Sequence, residues 1–332
     1  MPFAPNPLPD SLGGQFSVRD AASQGATRRR MRANDLAIPF RGTRRTAKFT
    51  GQRAIEAAED KAAYSEFRQK RQAHIDDARV YSTIMPPDSF FCAATAAVVG
   101  YALPVTTPTD LQVAVIAPQR APRAKGIRGR KVAAHLATVT EISGLRMTTP
   151  ANTWAMLARE LTLRELVESG DAVVRVPRDD FGRQHPELAH ATIAELAAEV
   201  SCGPRPPSTP KLRAALELIC VGSSSVLETD FRLDAAAAGL PKPVLDMEIR
   251  DQRGRLLGIS ELVYPQYRIV VEIEGDHHRT SRQQWNRDLD KYNDYAEAGW
   301  DVVRVTSLHI NGSHPDAVRR VAAALGRRGW TD

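Results

Sequence analysis

The chain is poor in cysteine and in aromatic residues, and it contains no long hydrophobic run. Of its 332 residues, three are cysteines and 6% are aromatic. The cysteines are Cys92, Cys202 and Cys220. Their wide spacing and odd number argue against a disulfide framework and against a CxxC zinc site, and they fit a reducing cytoplasm. The most apolar stretch, 90–105, is shorter than a membrane-spanning helix, so we expect no transmembrane segment and no membrane partner.

What the chain does contain is typical of a soluble globular protein. Hydrophobic residues make up 42% of the sequence and charged residues 25%, which disfavours wholesale disorder and fibrous folds. The length indicates about two domains. The N-terminal residues lack the basic and apolar regions of a secretory signal, so we expect no export by that route and a cytoplasmic protein.

Positive charge is concentrated at the N-terminus. The whole chain carries a formal charge of +6, but the first 53 residues alone contain ten basic and three acidic side chains, a net +7. A polyanion such as DNA would therefore meet this part of the chain first. The alternative is a basic tail that is partly disordered.

The N-terminal pattern predicts a winged helix-turn-helix. A short helix over 18–24 is followed by a turn at Gly25, and Thr27 can cap a second, basic helix over 28–33. The extended run 36–40 then leads into a turn. A helical hairpin of purely structural role remains an alternative. On the DNA-binding interpretation the nucleic-acid-binding residues are Arg28, Arg29, Arg30, Arg32, Arg44 and Arg45.

The proline-rich stretch Pro204–Pro210, PRPPSTP, is the clearest linker in the chain. We therefore predict a fold that is mixed α+β overall, with an α/β domain after this linker. The predicted segments are a flexible leader (1–14), a DNA-binding region with a long helix (15–80), an α/β middle domain (81–203), the linker (204–210) and a C-terminal domain (211–332).

In the C-terminal domain the periodicities predict the order α-β-β-β-α-β-α. The third strand carries the most informative pattern. Because side chains alternate along a strand, Val270, Glu272 and Glu274 share one face. Two carboxylates on one face of an apolar strand repel each other, and a bound cation or a basic partner would relieve that repulsion.

Two further acids are expected nearby. Glu261 lies on the preceding strand and Glu228 on the helix before it. Together with Glu272 and Glu274 they form an oxygen-rich set suited to magnesium, or to manganese in its place, and unsuited to structural zinc. The alternative is that these acids are solvated or paired with basic side chains. On the following helix, we expect a core stripe of Trp285, Leu289, Tyr292 and Ala296. Lys291 lies off that stripe and is predicted either to turn toward the carboxylates or to pair with Asp288.

The segments SSSVLETDFRLDAAAAGLPKP and ISELVYPQYRIVVEIEGDHHRTSRQQWNRDLDKYNDYAEAGWDVVRVT resemble the endonuclease-like family related to the very-short-patch repair endonucleases, within the PD-(D/E)XK superfamily. The first half is similar, more loosely, to the winged-helix antitoxins and regulators of abortive-infection type IV systems. That similarity rests on PFRGT, TAAVVGYALP and GLRMTTPANTW.

The resemblance implies a restriction-endonuclease-like core and a magnesium-dependent DNA endonuclease. The implied catalytic residues are Glu228, Glu261, Glu272, Glu274, His278 and Lys291, of which Glu261, Glu272 and Glu274 would hold the metal. The family usually has Asp at the positions of Glu261 and Glu274, and it has a lysine in its ExK motif that Lys291 would replace. The departures at Glu261 and Glu274 favour the alternative, a non-catalytic transcriptional regulator, or a type IV antitoxin of a cognate toxin, with a degenerate nuclease fold. The retained Glu272, His278 and Lys291 favour the enzyme.

Overall fold

The computed structural model describes residues 5–47, 49, 63–205, 207–274 and 282–331. Contacts within the chain divide it into two compact units, Met1–Leu157 with Ser201–Pro204, and Ala158–Val200 with Arg205–Asp332. Helices and mixed sheets occur together, as the composition and patterns predict. No helix among the described residues has the length and apolarity needed to cross a bilayer.

The first unit begins with a three-stranded antiparallel sheet. Its strands are β1 (Gln15–Ser17), β2 (Leu36–Ala37) and β3 (Thr43–Thr46), in the order β1-β3-β2, with the helix α1 (Val18–Ser23) between the first two. Ser17 caps α1 by accepting a hydrogen bond from the Asp20 amide. The predicted second helix is only a 3-10 turn, Arg30–Arg32.

The predicted flexible leader is folded where the structure describes it. Asp10–Leu12 forms a 3-10 turn, and the Leu12 side chain is buried in a small core with Phe16 and Met31. The proline-rich composition of this stretch does not reveal this contact. Burial of Leu12 removes a large apolar side chain from water and so holds the N-terminal segment against the core.

The rest of the first unit is a six-stranded mixed sheet with helices packed on it. Its strand order is β6-β7-β5-β4-β9-β8. The elements are α2 (Ala63–Ser82), β4 (Ser89–Phe91), α3 (Ala93–Gly100), β5 (Leu111–Ile116), β6 (Arg123–Ala124), β7 (Ile127–Val132), β8 (Val139–Ile142), β9 (Leu145–Thr148) and α4 (Pro150–Leu157). Phe90 and Phe91, at the start of the most apolar stretch of the sequence, form the buried strand β4.

The second unit has the predicted α-β-β-β-α-β-α order with one additional short helix after the last strand, and three helices precede it. The elements are α5 (Leu163–Val174), α6 (Ile193–Ser201), α7 (Thr209–Leu218), α8 (Val226–Ala237), β10 (Val244–Arg250), β11 (Leu256–Tyr264), β12 (Ile269–Glu274), α9 (Arg282–Glu297), β13 (Asp301–Thr306), α10 (Ser307–Asn311) and α11 (Ala317–Arg327). The strands pair in the order β10-β11-β12-β13, antiparallel except for the parallel pair β12 and β13.

The boundary between the units differs from the predicted linker. Residues 158–200, predicted to be part of a middle domain, pack in the second unit, and α7 begins at Thr209, inside the proline-rich stretch. A buried hydrogen-bond network explains this arrangement. Asp171 on α5, which is 1% exposed, accepts from Arg232 Nη2 at 2.7 Å and from Thr229 Oγ1 at 2.8 Å, both on α8.

We predict that Asp171→Ala destabilises the protein by about 3 to 5 kcal/mol, because it leaves the Arg232 charge without its buried partner. Urea unfolding measures the change. The exposed Glu217→Ala on α7 is the matched control and is expected to change stability by less than about 0.5 kcal/mol. Equal stability of the two variants would show that this network does not hold α5 against α8.

Candidate active site

The register of β11 against β12 brings two acids to the same level of the sheet. The last paired residues are Leu262 and Val271, so Glu261 and Glu272 occupy the next facing positions. At this level a side chain replaces the backbone as the hydrogen-bond acceptor: Glu261 Oε2 accepts a hydrogen bond from the Ile273 amide at 3.0 Å. The two carboxylates therefore lie at the end of the antiparallel pairing.

The predicted alternation along β12 is confirmed. Ile269, Val271 and Ile273 belong to the main core cluster, which contains residues of α8 and α11. On the opposite face Val270 packs with Tyr295 of α9, and Glu272 points the same way. The acid is thus placed on the face that α9 covers.

Glu228 is held in the first turn of α8. Ser225 caps the helix by accepting from the Glu228 amide at 3.2 Å. The Glu228 carboxylate accepts from the Ser224 amide at 2.8 Å and from the Ser224 hydroxyl at 2.7 Å. Its side chain is 2% exposed, and this burial raises its pKa above the ordinary value.

Lys291 of α9 supplies the positive charge at these acids. Its Nζ donates to Glu272 Oε1 and to the Ile259 carbonyl, both at 3.0 Å. Of the two arrangements that the sequence left open, the structure has Lys291 turned toward the carboxylates. Asp288, the other predicted partner, has its side chain outside the described residues.

The face of α9 that meets the sheet differs from the predicted stripe. Tyr295, fully buried, donates or accepts a hydrogen bond with Ser260 at 2.9 Å, whereas Ala296 is exposed. The side chains of Trp285 and Leu289 lie outside the described part of the chain. The helix is rotated so that Lys291 and Tyr295, one turn apart, share the covered face. Hydrophobicity alone could not reveal this, because the attraction between Lys291 and Glu272 contributes to the choice of face.

Glu274 has a different environment from the other three acids. It forms an ion pair with Arg304 on the neighbouring strand β13. The Arg304 guanidinium also lies 5.2 Å from the centre of the Tyr292 ring. The structure therefore does not bring Glu274 into the group formed by Glu228, Glu261 and Glu272, although all four were predicted to converge.

Electrostatic coupling links the three remaining acids. The pKa of Glu261 is raised from 4.5 to about 8, first by burial and then by the negative charges of Glu228 and Glu272. The Lys291 charge offsets only part of this effect. Among the described residues, Lys291 at Glu261 and Arg175 at Glu228 compensate these acids only in part, so the group has an affinity for a further proton or cation.

These residues fit a magnesium ion bound by two carboxylates. Among the described residues no three Asp, Glu, His or Cys side chains are arranged to hold a metal. Magnesium, however, is usually bound by one or two carboxylates together with water and substrate phosphates. Glu261 Oε1 and Glu272 Oε2 accept no hydrogen bond from the described part of the chain and are suited to this role. Glu228 and Glu274 are already held by Ser224 and Arg304.

His278 lies outside the described residues, as do Gly275, Asp276 and His277. Its predicted role as a general acid or base therefore stays a prediction.

The predicted nucleic-acid-binding arginines fall into two groups. Arg28, Arg29 and Arg32 are exposed. Arg30 is 9% exposed and forms a bidentate pair with Asp35 at 2.8 and 2.7 Å, which fixes the turn after the 3-10 segment. It is therefore structural rather than available to DNA.

The two arginines of β3 are also engaged within the fold. Arg44 donates to the carbonyls of Met31 and Thr43, each at 2.6 Å, and burial lowers its pKa. Arg45 pairs with Asp77 of α2 at 2.7 Å. A count of basic residues could not separate these two from the exposed arginines, because their acceptors are distant in sequence or belong to the backbone.

Several residues of the site were not identified from the sequence. Ser224 binds Glu228, Tyr295 fixes α9 on Ser260, and Arg304 neutralises Glu274. Only Arg304 leaves a readable signal, since a charged residue interrupts the apolar strand DVVRVT. The other two depend on packing between distant elements.

Comparison with known proteins adds no relative: no family model, no curated protein and no solved structure matches the chain.

The raised pKa of Glu261 predicts a pH-dependent stability. Between pH 4.5 and about 8 the folded chain retains a proton that the unfolded chain has lost. The stabilisation is complete below pH 4.5 and is lost as the pH rises to about 8. Glu261→Gln, which stays neutral, should therefore lose less stability over this range than the wild type.

Urea unfolding in EDTA from about pH 5 to about pH 9 measures this slope. Glu297→Gln, at an exposed position of α9, is the control and should retain the wild-type slope. Parallel stability profiles for wild type and Glu261→Gln would contradict the assigned environment of Glu261.

Proposed function

We propose that the chain is a DNA-binding protein whose second unit hydrolyses phosphodiester bonds as a magnesium-dependent endonuclease of the very-short-patch-like type. The observation that carries this proposal is that Glu228 and Glu272 lie close enough to Glu261 to raise its pKa, while Lys291 is hydrogen-bonded to Glu272. Carboxyl groups that repel one another in this way are unfavourable for stability alone, and they suit a site that binds a divalent cation.

The roles of the residues follow from their contacts. Glu261 and Glu272 would hold magnesium, or manganese in its place, which supplies an activated water and neutralises charge on the scissile phosphate. Glu228 keeps the negative potential high without being a direct ligand, because Ser224 holds its carboxylate. Two of the three Lys291 N–H groups go to Glu272 and Ile259, which leaves one for a phosphate oxygen. His278 is the proposed general acid or base.

The element order supports this interpretation. Three antiparallel strands, a helix and a parallel fourth strand are consistent with the proposed restriction-endonuclease-like core. In the first unit, the proposed winged helix would use α1 and the small sheet β1-β3-β2. Its DNA contacts would come from Arg28, Arg29 and Arg32, through phosphates rather than bases. We expect the protein to act in the cytoplasm, where its free cysteines stay reduced.

One observation favours the second candidate, a non-catalytic regulator or antitoxin. Arg304 forms an ion pair with Glu274, which the resemblance assigns as a metal ligand. In a degenerate nuclease fold such a pair would stabilise the strand and leave no complete site. Measurement of cleavage distinguishes the two candidates.

We predict that the full chain nicks supercoiled plasmid DNA in the presence of magnesium. Glu272→Gln, Glu261→Gln and Lys291→Met should each lower the rate about 100-fold or more, because each removes charge that the transition state needs. Gel electrophoresis of relaxed and linear products gives the rates. Thermal unfolding of each variant verifies that it is folded.

Glu274→Gln is the matched control, an acid of the same strand outside the group, and should keep its rate within about three-fold of the wild type. If no folded protein nicks DNA, or if Glu272→Gln nicks as fast as the wild type, the regulator is the better account.

A further inference from the structure

A basic segment of the first unit has no role in the function proposed so far. Between Asp110 and Glu141 the sequence contains no acidic residue. The same stretch contains six lysines and arginines: Arg120, Arg123, Lys125, Arg128, Arg130 and Lys131. Such a separation of charge within about 30 residues is unusual for a solvated surface, where both signs are normally mixed.

The structure places all of these residues except Arg120 on strands β6 and β7 or at the turn between them, at the edge of the six-stranded sheet, and Arg120 lies in the loop before β6. Strand β6 pairs antiparallel with β7, with Arg123 opposite Arg128 and Ala124 opposite Ile127. Lys125 and Gly126 form the turn, where Gly126 has a φ of +77° that favours glycine.

Within the part of the chain that the structure describes, four cations of this ribbon and of the loop before it are exposed and have no acidic partner. Arg120, Arg123, Lys125 and Lys131 are exposed, and none of them forms an ion pair within the described residues. By contrast, the exposed Arg164 and Arg250 each pair with a neighbouring carboxylate. Arg120, Arg123, Lys125 and Lys131 therefore present positive charge to solvent.

The ribbon lies beside the N-terminal sheet. A Cβ atom on Gly126 would lie 3.2 Å from a ring carbon of Phe40, so the tip of the ribbon touches the loop between β2 and β3. That loop carries the exposed Arg41 next to Phe40. The two loops thus bring Arg41 and Lys125 to the same region of the first unit.

We infer that the β6–β7 ribbon is a second DNA-binding surface, which contacts the phosphates of a duplex together with the loop between β2 and β3. The exposed positive charges of this segment and of the neighbouring loop are complementary to the phosphates of a duplex.

This inference extends the DNA-binding part of the proposed function and does not depend on the nuclease site. The test is fluorescence anisotropy of a labelled duplex of about 30 base pairs with the full chain in EDTA, which prevents cleavage, over a range of salt concentrations. The ribbon variant is Arg120→Gln, Arg123→Gln, Lys125→Gln and Lys131→Gln combined. The control variant removes four exposed cations of the second unit: Arg159→Gln, Arg213→Gln, Lys242→Gln and Arg253→Gln.

We expect the ribbon variant to raise Kd about ten-fold or more at about 150 mM salt and to lower the slope of log K against log salt by about 2 to 4, since each lost phosphate contact removes about 0.9. The control should change both quantities much less. All changed side chains are exposed, so both variants should melt at the wild-type temperature.

Two outcomes would overturn the inference alone. If the ribbon variant binds like the control while Arg28→Ala, Arg29→Ala and Arg32→Ala combined lose affinity, the N-terminal arginines bind DNA and the ribbon does not. If polyglutamate at equal charge competes as well as unlabelled duplex, the ribbon selects an acidic protein. Failure of the wild type to bind any duplex would overturn the ribbon and the proposed DNA binding together.

Discussion

Mutual repulsion among the carboxyl groups of Glu228, Glu261 and Glu272 is the constraint on which the proposed site depends. Glu228, Glu261 and Glu272 come from a helix and two strands, and Lys291 reaches them from the helix that covers the sheet. Isolated buried charge is costly, so each acid has a local compensation: a serine, a backbone amide or the lysine. The compensation is incomplete, as the raised pKa of Glu261 shows. A fold optimised only for stability would be expected to replace such a group with apolar residues.

The chemistry of the two units is complementary. The first contains clusters of exposed positive charge, on the turn with Arg28 and on the segment with Lys125. The second contains the acidic group and the network around Asp171 that joins α5 to α8. On our account the first unit supplies affinity for a polyanion, which is sensitive to salt, and the second supplies the reaction. This division explains why the net charge of the whole chain conceals a marked gradient.

Local patterns predicted the second unit well because each of its elements is strongly periodic. The alternation along β12 placed Glu272 and Ile273 on opposite faces, as found. Prediction was poorer where a distant partner decides the structure. Glu274 forms an ion pair with Arg304 on the neighbouring parallel strand, and Arg30 forms an ion pair with Asp35. Neither pairing follows from composition, because the charge of a residue indicates its chemistry but not which partner is within reach.

The proposed hydrolysis depends on a divalent cation bound by Glu261 and Glu272. Calorimetric titration of magnesium into the full chain tests this binding directly. We predict one ion per chain for the wild type and for Glu274→Gln, and loss of the binding heat in Glu261→Gln and in Glu272→Gln. If the wild type takes up no magnesium, or if all four proteins bind it equally, the carboxylates do not form a metal site and the account is wrong.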